Sequence, residues 1–474
     1  MAYLWTTDEL IAAMHGRPAG TMPEGITGIS IDSRAIAAGE AFFAIKGDRV
    51  DGHDYAGLAA ANGAGLLVVS EARIPALGRI SAPMIVVHDV LEALEKLGLA
   101  ARDRATGKII AVTGSVGKTT TKDMLRQVLS ATGRVHYSPA SFNNHWGVPL
   151  TLARLPRDAD YGVFEIGMNH PDEIRPLVKM VRPHIAVITT IAAAHLGNFS
   201  GLEEIAAAKA EIFEGIVPGG HALINRDIDQ FEQLENAAVA AGVSNIHSFG
   251  AHAKADFRLV DYQPEGEGAI FWAAFGGRTF EVPINAPGRH IAENAVAVLA
   301  AASLAGADMD RVVAAFTDVS AGKGRGQRIR LDTGLGEFTV IDESYNANPA
   351  SMRAAIALLS GSVPEGGGRR IAVLGDMLEM GEFSADVHAA LAEPLGESEI
   401  DDIWLAGPDM AHLRDALGDS KEVIYRNDGD ELAAYALDNV RAGDVLMIKS
   451  SNGTGFGRVV QALQIKFPAK QPAV

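Results

Sequence analysis

No cysteine occurs in the 474 residues. Disulfides and thiolate metal sites are therefore excluded, and the chain suits a reducing compartment. Basic residues are also in deficit: 41 Lys and Arg against 59 Asp and Glu leave a formal charge of −18. Such a balance argues against a nucleic-acid surface, although local loops of an acidic protein still bind phosphate. No run of about 18 residues is free enough of charge to span a bilayer. Residues 1–10 carry Asp8 and Glu9 and lack the basic-then-apolar pattern of a signal peptide. A cytoplasmic protein without membrane insertion is expected. Internal repeats of about 20–50 residues are missing too. What remains is an ordinary globular composition, 48% hydrophobic and 21% charged, on a chain long enough for two to four domains.

The most informative segment is 111–120, Ala-Val-Thr-Gly-Ser-Val-Gly-Lys-Thr-Thr. An apolar run at 109–112 reads as a buried strand and 121–129 as the helix after it. Between them, Gly114, Ser115 and Gly117 form a loop whose N–H groups converge on phosphate oxygens at a helix N-terminus. Lys118 would reach the outer phosphates, and Thr119, followed by Thr120, would offer its hydroxyl to Mg²⁺. The common form has four residues between the glycines, and this chain has two. A structural strand-to-helix turn is the alternative.

Three segments follow from the hydrophobic pattern. Residues 1–86 mix short strands (28–31, 41–45, 66–69, 84–87) with an Ala-rich helix, and 89–104 has helical periodicity. From 107 to about 320 strands at 109–113, 162–166, 185–191 and 222–225 alternate with helices. A more β-like interval at 245–285 precedes a helix at 291–305. The Gly-rich stretch 321–326 reads as a linker. Beyond it strands at 338–342, 370–374, 403–406, 423–425 and 445–449 alternate with helices to the end. The expected class is α/β in three domains: a small α/β N-terminal domain (1–86), a central P-loop parallel-sheet domain (87–321) and a C-terminal Rossmann-like domain (322–474).

Three groups in the middle segment carry chemistry. Lys209 falls on the apolar stripe Ile205, Ile212, Ile216 of a helix predicted over 202–216, roughly 40° from Ile205 at about 100° per residue. A buried ammonium there must snorkel, pair with an acid, shift its pKa or be modified. Glu165 lies near the end of a strand at 161–166 and His195 follows the strand at 185–191, the ends where ligands of open α/β sheets bind. They suit either Mg²⁺ sites or capping and surface roles.

Together these residues resemble the Mur ligases, which build the peptidoglycan stem peptide. The short-spaced loop 114–119 matches the family. Asp32-Ser33-Arg34, Gly47 and Asp51-Gly52-His53 resemble the first-domain signature of the third and fourth ligases. Ser141-Phe142-Asn143-Asn144 with 147–151, Glu343-Ser344-Tyr345-Asn346-Ala347-Asn348-Pro349, and 373–377 with Glu379 and Gly381 resemble the fourth.

The resemblance implies an ATP-dependent amide ligase that joins D-alanyl-D-alanine to UDP-N-acetylmuramoyl-tripeptide through an acyl phosphate, as a monomer. It assigns Lys118 to the ATP phosphates, Thr119 and Glu165 to one Mg²⁺, and His195 and a carbamylated Lys209 to a second. Asn294 would contact adenine and Arg325 the nucleotide, with Asp342 or Glu343 near the ribose or Arg325. Ser33, Arg34, Asp51 and His53 would hold the uridine diphosphate end, or form only a Gly- and Asp-rich turn. Asn143, Asn144, Tyr345, Asn346 and Asn348 would meet substrate, the last three also suiting a helix N-cap turn. Ile291 stands where the adenine motif usually has Asn, and 449–453 departs from the usual Lys-Gly-Ser-Arg. Asp386 and His388 read as solvated helix residues. The third ligase usually carries an Asp-Tyr-Ala-His-type motif instead of 344–348. Folylpolyglutamate synthase would not need 1–86, and a nucleotide-binding regulator would not need Glu165, His195 and Lys209.

Overall fold

Short apolar runs separated by helical segments give three large sheets and one two-stranded ribbon among the described residues of the computed structural model, which are 3–47, 50–78, 80–139, 141–193, 196–266, 268–418 and 421–469. The first sheet orders Arg17–Ala19, Met84–Val87, Leu66–Ser70, Ala41–Phe43 and Ile29–Ser30, parallel except at the Arg17–Ala19 edge. The helix Val90–Arg104 follows because Asp89 caps it, accepting the Glu92 N–H at 2.9 Å. Its buried Val90, Ala93, Leu94, Leu97 and Ala101 repeat at helical spacing. These residues share one core with Trp5 and Leu10 on one side and Val148, Phe164 and Ile188 on the other. Trp5 Nε1 donates to the Ala153 carbonyl at 2.8 Å, and the Arg104 guanidinium lies 3.3 Å over its ring. Apolar packing therefore continues from the first sheet into the second.

The second sheet has nine strands among the described residues, with Lys108–Thr113 between Tyr161–Glu165 and Ile185–Ile188 and all three parallel. The β-like interval does not stand apart. Asn245–Gly250 and Phe257–Glu265 extend the parallel ladder, and Gly268–Phe275 and Arg278–Ile284 add an antiparallel meander to its edge. Two expected elements end early. The strand predicted to reach 191 stops at Ile188, because the next two residues turn their hydrogen bonds toward the phosphate loop. The helix predicted over 202–216 ends at Ala210 and tightens into a 3-10 turn, Glu211–Gly215. There Glu211 is buried and accepts the Asp172 and Arg175 N–H groups at 2.7 and 2.9 Å, satisfying the start of the helix Ile174–Val181.

The third sheet orders Gln327–Asp332, Glu337–Glu343, Val445–Lys449, Arg370–Gly375, Asp402–Ala406 and Val423–Arg426, antiparallel only at its first pair. No helix among the described residues is long and apolar enough to cross a membrane. His388 corrects the sequence expectation. It is fully buried rather than solvated, its Nε2 accepting the Met377 N–H at 2.9 Å and its Nδ1 donating to the Ser384 carbonyl at 2.7 Å. Both ring nitrogens are thus spent tying the first turn of the helix Ser384–Ala389 to the loop after Arg370–Gly375, while Asp386 is exposed. Ser451 Oγ takes the Leu378 N–H in the same loop at 2.9 Å.

Asp376 in that loop accepts the Met410 N–H at 2.9 Å, and burial pushes its carboxyl up to about 6. A carboxyl raised in the folded state stabilises fully below its unfolded pKa of about 4, and that contribution is lost as pH rises through about 6. The amide of Asp376→Asn keeps the acceptor and removes the titration. Thermal unfolding should show this variant gaining Tm over the parent at about pH 8 and gaining nothing at about pH 4.

Candidate functional site

The loop between Lys108–Thr113 and the helix Lys118–Ser130 is shaped by close approach. Gly114 has φ 146° and Gly117 φ 87°, the left-handed region that glycine enters without penalty. A Cβ on Gly114 would lie 2.0 Å from Thr189 Oγ1, and one on Gly117 would lie 2.6 Å from Asn294 Oδ1. Thr121 makes the first helical bond, to the Gly117 carbonyl at 2.8 Å. The N–H groups of Lys118, Thr119 and Thr120 precede that bond and have no intrahelical acceptor. The Ser115 hydroxyl is buried with no partner among the described residues, and Ser115 lines a cavity of about 570 Å³.

Charge at the loop is unbalanced. Lys118 Nζ folds back on the Gly114 carbonyl at 2.5 Å, and burial holds its pKa below the usual lysine range against the opposing pull of Glu165. Glu165, at the end of its strand, is buried and takes the Thr119 hydroxyl at 2.8 Å and the Asn143 amide at 2.8 Å. Lys209 is 2% exposed, and no hydrogen bond or ion pair reaches its ammonium among the described residues. Burial first, and Lys118 second, push its pKa well down, which favours the neutral amine. His195 lies outside the described residues. Among those described, no group of three or more His, Asp or Glu side chains is arranged to hold a metal. Thr119 and Glu165 are nevertheless the hard oxygen donors that Mg²⁺ takes.

The third sheet closes the other side. Glu343 and Lys449, at the ends of adjacent strands, face the same cavity as the phosphate loop, with Tyr345, Asn346 and Asn348 beside them. Buried Lys449 donates to Glu343 at 3.2 Å and to the Asn346 carbonyl at 2.9 Å. Asn348 caps the helix Pro349–Ser360, accepting the Ser351 N–H at 2.9 Å, and still lines the cavity. Asp342 turns the other way. Its carboxylate takes the Gly324 N–H at 3.0 Å and the Ser344 hydroxyl at 2.6 Å, which pins the Gly-rich linker to the start of the third sheet. Arg325 stacks 4.3 Å over the Tyr345 ring and lines the cavity. A second cavity of about 350 Å³ shares Thr120, Ile291 and Arg325 with the first and runs along the loop helix to Tyr137.

Not every candidate residue meets there. Asn144 is spent just before the helix Gly147–Ala153, its side chain accepting the Gly147 N–H at 3.0 Å. The first-sheet set lies elsewhere. Ser33 is buried, and Arg34 makes a two-point contact with Asp32 at 2.9 and 2.7 Å that holds the Asp32 carboxyl down at about 2. His53 is clamped between the Asp51 carboxylate at 2.6 Å and the Ser70 N–H at 2.9 Å. Conversely, Thr189, Asn225 and His290 line the cavity and went unnoticed in the sequence. The first two follow strands of the second sheet, an address already used to select Glu165 and His195.

Comparison with known proteins decides the family. Residues 25–102, 112–302 and 324–452 match the models for the Mur ligase family catalytic domain, the Mur ligase middle domain and the Mur ligase glutamate ligase domain. A UDP-N-acetylmuramoyl-tripeptide–D-alanyl-D-alanine ligase of Rickettsia prowazekii is 32% identical over 437 residues, covering 92% of this chain and 95% of that protein. The chain belongs to the Mur ligase family. A crystal structure of MurF from Acinetobacter baumannii superposes with a TM-score of 0.83 at 31% identity, covering 98% of this chain and 99% of that one. The MurF ligase from Thermotoga maritima in complex with ADP gives 0.76 at 25%, covering 93% and 97%.

In this Mur ligase the segments around the second and third sheets touch through a backbone and a side-chain hydrogen bond. The Gly197 N–H donates to the Glu379 carbonyl at 3.1 Å, and Ser141 and Tyr345 share a hydroxyl bond at 2.8 Å. A Cβ on Gly381 would fall 2.7 Å from Gly197 Cα. Gly381→Ala should wedge the two sheets apart and lower kcat/KM by about tenfold or more, since misplacement of about 1 Å costs up to about 100-fold. Steady-state kinetics beside an unchanged far-UV spectrum check this.

Proposed function

We propose that this Mur ligase joins D-alanyl-D-alanine to UDP-N-acetylmuramoyl-tripeptide in the cytoplasm, converting ATP to ADP and phosphate. One observation carries the proposal: a single cavity is lined by the phosphate loop and Glu165 on one side and by the strand ends at Glu343 and Lys449 on the other. Such a site meets ATP and a second reactant at once. The relatives named above supply the identity of the acceptor and the dipeptide.

Division of labour follows the segments. Residues 1–86 would hold the uridine diphosphate end through Ser33, Arg34, Asp51 and His53, residues 87–321 the ATP, and residues 322–474 the dipeptide. Lys118 would release the Gly114 carbonyl and turn to the phosphates. The free Ser115 hydroxyl and the N–H groups of Lys118, Thr119 and Thr120 would receive phosphate oxygens. Asn294, Ile291 and Arg325 would border the base and Glu343 the ribose. Asn143, Tyr345, Asn346 and Asn348 would lie along the acceptor and dipeptide. Mg²⁺, when bound, neutralises phosphate charge. Thr119 and Glu165 would hold one ion, and His195 with a carbamylated Lys209 a second.

The chemistry is two displacements. A tripeptide carboxylate oxygen bonds to the γ-phosphorus as the bond to the bridging oxygen breaks and ADP leaves. The dipeptide amine then attacks the acyl carbon, loses a proton and expels phosphate. Neither step needs covalent help from the protein, so positioning and charge carry the rate. Lys209 suits carbamylation because its burial favours the free amine, the form that adds CO₂ and releases a proton.

Incubation with ATP, Mg²⁺, the UDP-linked tripeptide and D-alanyl-D-alanine should release phosphate and give a product heavier by one dipeptide residue pair. Phosphate release without the dipeptide, or only with a single diamino acid, would overturn the assignment. Lys209→Ala should lower the rate by about 100-fold or more, with partial recovery on adding a short carboxylic acid. Full activity in that variant would remove Lys209 from the reaction.

A further inference from the structure

We infer that Thr189 is a positioning residue for the nucleotide: its hydroxyl is the clasp that lets this short phosphate loop hold its shape. The inference rests on the loop receiving phosphate, as proposed above.

A loop that turns its N–H groups inward must turn carbonyls outward, and a buried carbonyl needs a donor. Each outward carbonyl here has an identifiable one. Gly117 takes the Thr121 N–H at 2.8 Å, as a helix start does. Gly114 takes Lys118 Nζ at 2.5 Å, and Ser115 lies 3.5 Å from the same ammonium. Val116 takes the Thr189 hydroxyl at 2.5 Å. That proton has another acceptor, the Thr113 carbonyl at 3.3 Å, and the shorter contact wins it.

These donors are not equivalent during turnover. Lys118 is the group that turns to the outer phosphates, and it leaves the Gly114 and Ser115 carbonyls when it does. The Thr189 bond is the side-chain contact that stays. It is backed on both sides: Thr189 N–H pairs with the Thr113 carbonyl at 3.0 Å, and the Thr190 carbonyl takes the Ser115 N–H at 2.9 Å. Asn225, from the next strand, donates to the Thr189 carbonyl at 2.8 Å. Thr189 is buried, so no water replaces its hydroxyl cheaply. The same contact sets the residue at 114, where any Cβ would strike the hydroxyl at 2.0 Å. The glycine at 114 is thus tied to a partner 75 residues downstream, just past the end of an adjacent strand (114 to 189).

The test compares Thr189→Val, which keeps the shape without the donor, with Thr189→Ser, which keeps the donor. Loss of the clasp lowers the fraction of loops ready to bind, and the apparent dissociation constant rises by that fraction. ADP affinity by calorimetry and KM for ATP should worsen about tenfold in Thr189→Val, the size of one hydrogen bond to a buried acceptor. KM for the dipeptide should not move. Thr189→Ser should return within about threefold of the parent. Parent-like ADP affinity in Thr189→Val, or equal impairment in Thr189→Ser, overturns the inference. Should Thr189→Val fail to fold, Thr189→Ala against Thr189→Ser makes the same comparison. ADP binding is read without ligation, so a parent protein that binds ADP but forms no amide would refute the proposed reaction and leave the clasp under test.

Discussion

Lys118 and Lys209 put two lysine side chains where burial disfavours their charge: Glu165 is the carboxylate that answers Lys118, and Lys209 favours the neutral amine. Buried charge without a partner costs several kcal/mol, so burial holds both lysines below the usual lysine range. Under the proposed function a polyphosphate would reverse the balance. Lys118 would gain a partner, Glu165 and Thr119 would gain a cation, and carbamylation would turn Lys209 from a neutral amine into an anion. Such a site would give up stability in favour of binding, which is how a preorganised site holds charge in place before a reaction. The strand ends and helix starts around it are arranged to keep these side chains from relaxing away.

Much of this was legible in the sequence because the loop is a local motif. Glycine, lysine and threonine at fixed offsets between an apolar run and a helical pattern need no tertiary knowledge. Lys209 was legible for a different reason, as a cation on an apolar stripe, even though the helix carrying it is shorter than its periodicity suggests. Glu211 explains the shortening. On a helical wheel it falls off the apolar stripe, yet it is buried because a neighbouring helix needs an acceptor for its first N–H groups. No pattern within 202–216 records that demand. His388 failed for the same reason: the Ser384 carbonyl lies one turn back in its own helix, but the Met377 N–H that its other nitrogen accepts comes from a loop whose path only the fold defines.

The acid pair at 342 and 343 shows the limit of motif reading more sharply. Adjacent residues on a strand point to opposite faces, so at most one of them faces the cavity. Sequence alone does not say which. The structure spends Asp342 on the Gly324 N–H and leaves Glu343 with Lys449 at the cavity wall. The choice has a consequence for motion. A linker tied by Asp342 to the first parallel strand of the third sheet moves with that sheet, so its freedom lies before Gly324 rather than along its whole length.

Closure then becomes a matter of bringing two sets of strand ends together. The second sheet contributes Glu165, Thr189 and Asn225, and the third contributes Glu343 and Lys449. Backbone contact between Gly197 and Gly381 permits the approach only because neither residue has a side chain. An acyl phosphate formed between the two sheets would be sheltered from water on both sides, since each wall is already committed to its own hydrogen bonds. Lys449 illustrates this: it neutralises Glu343 and holds the Asn346 carbonyl, so it stiffens the third-sheet wall without offering a free ammonium to compete with the amine nucleophile. Specific ligation thus depends less on any single reactive group than on walls whose polar atoms are occupied everywhere except where the reactants must bind.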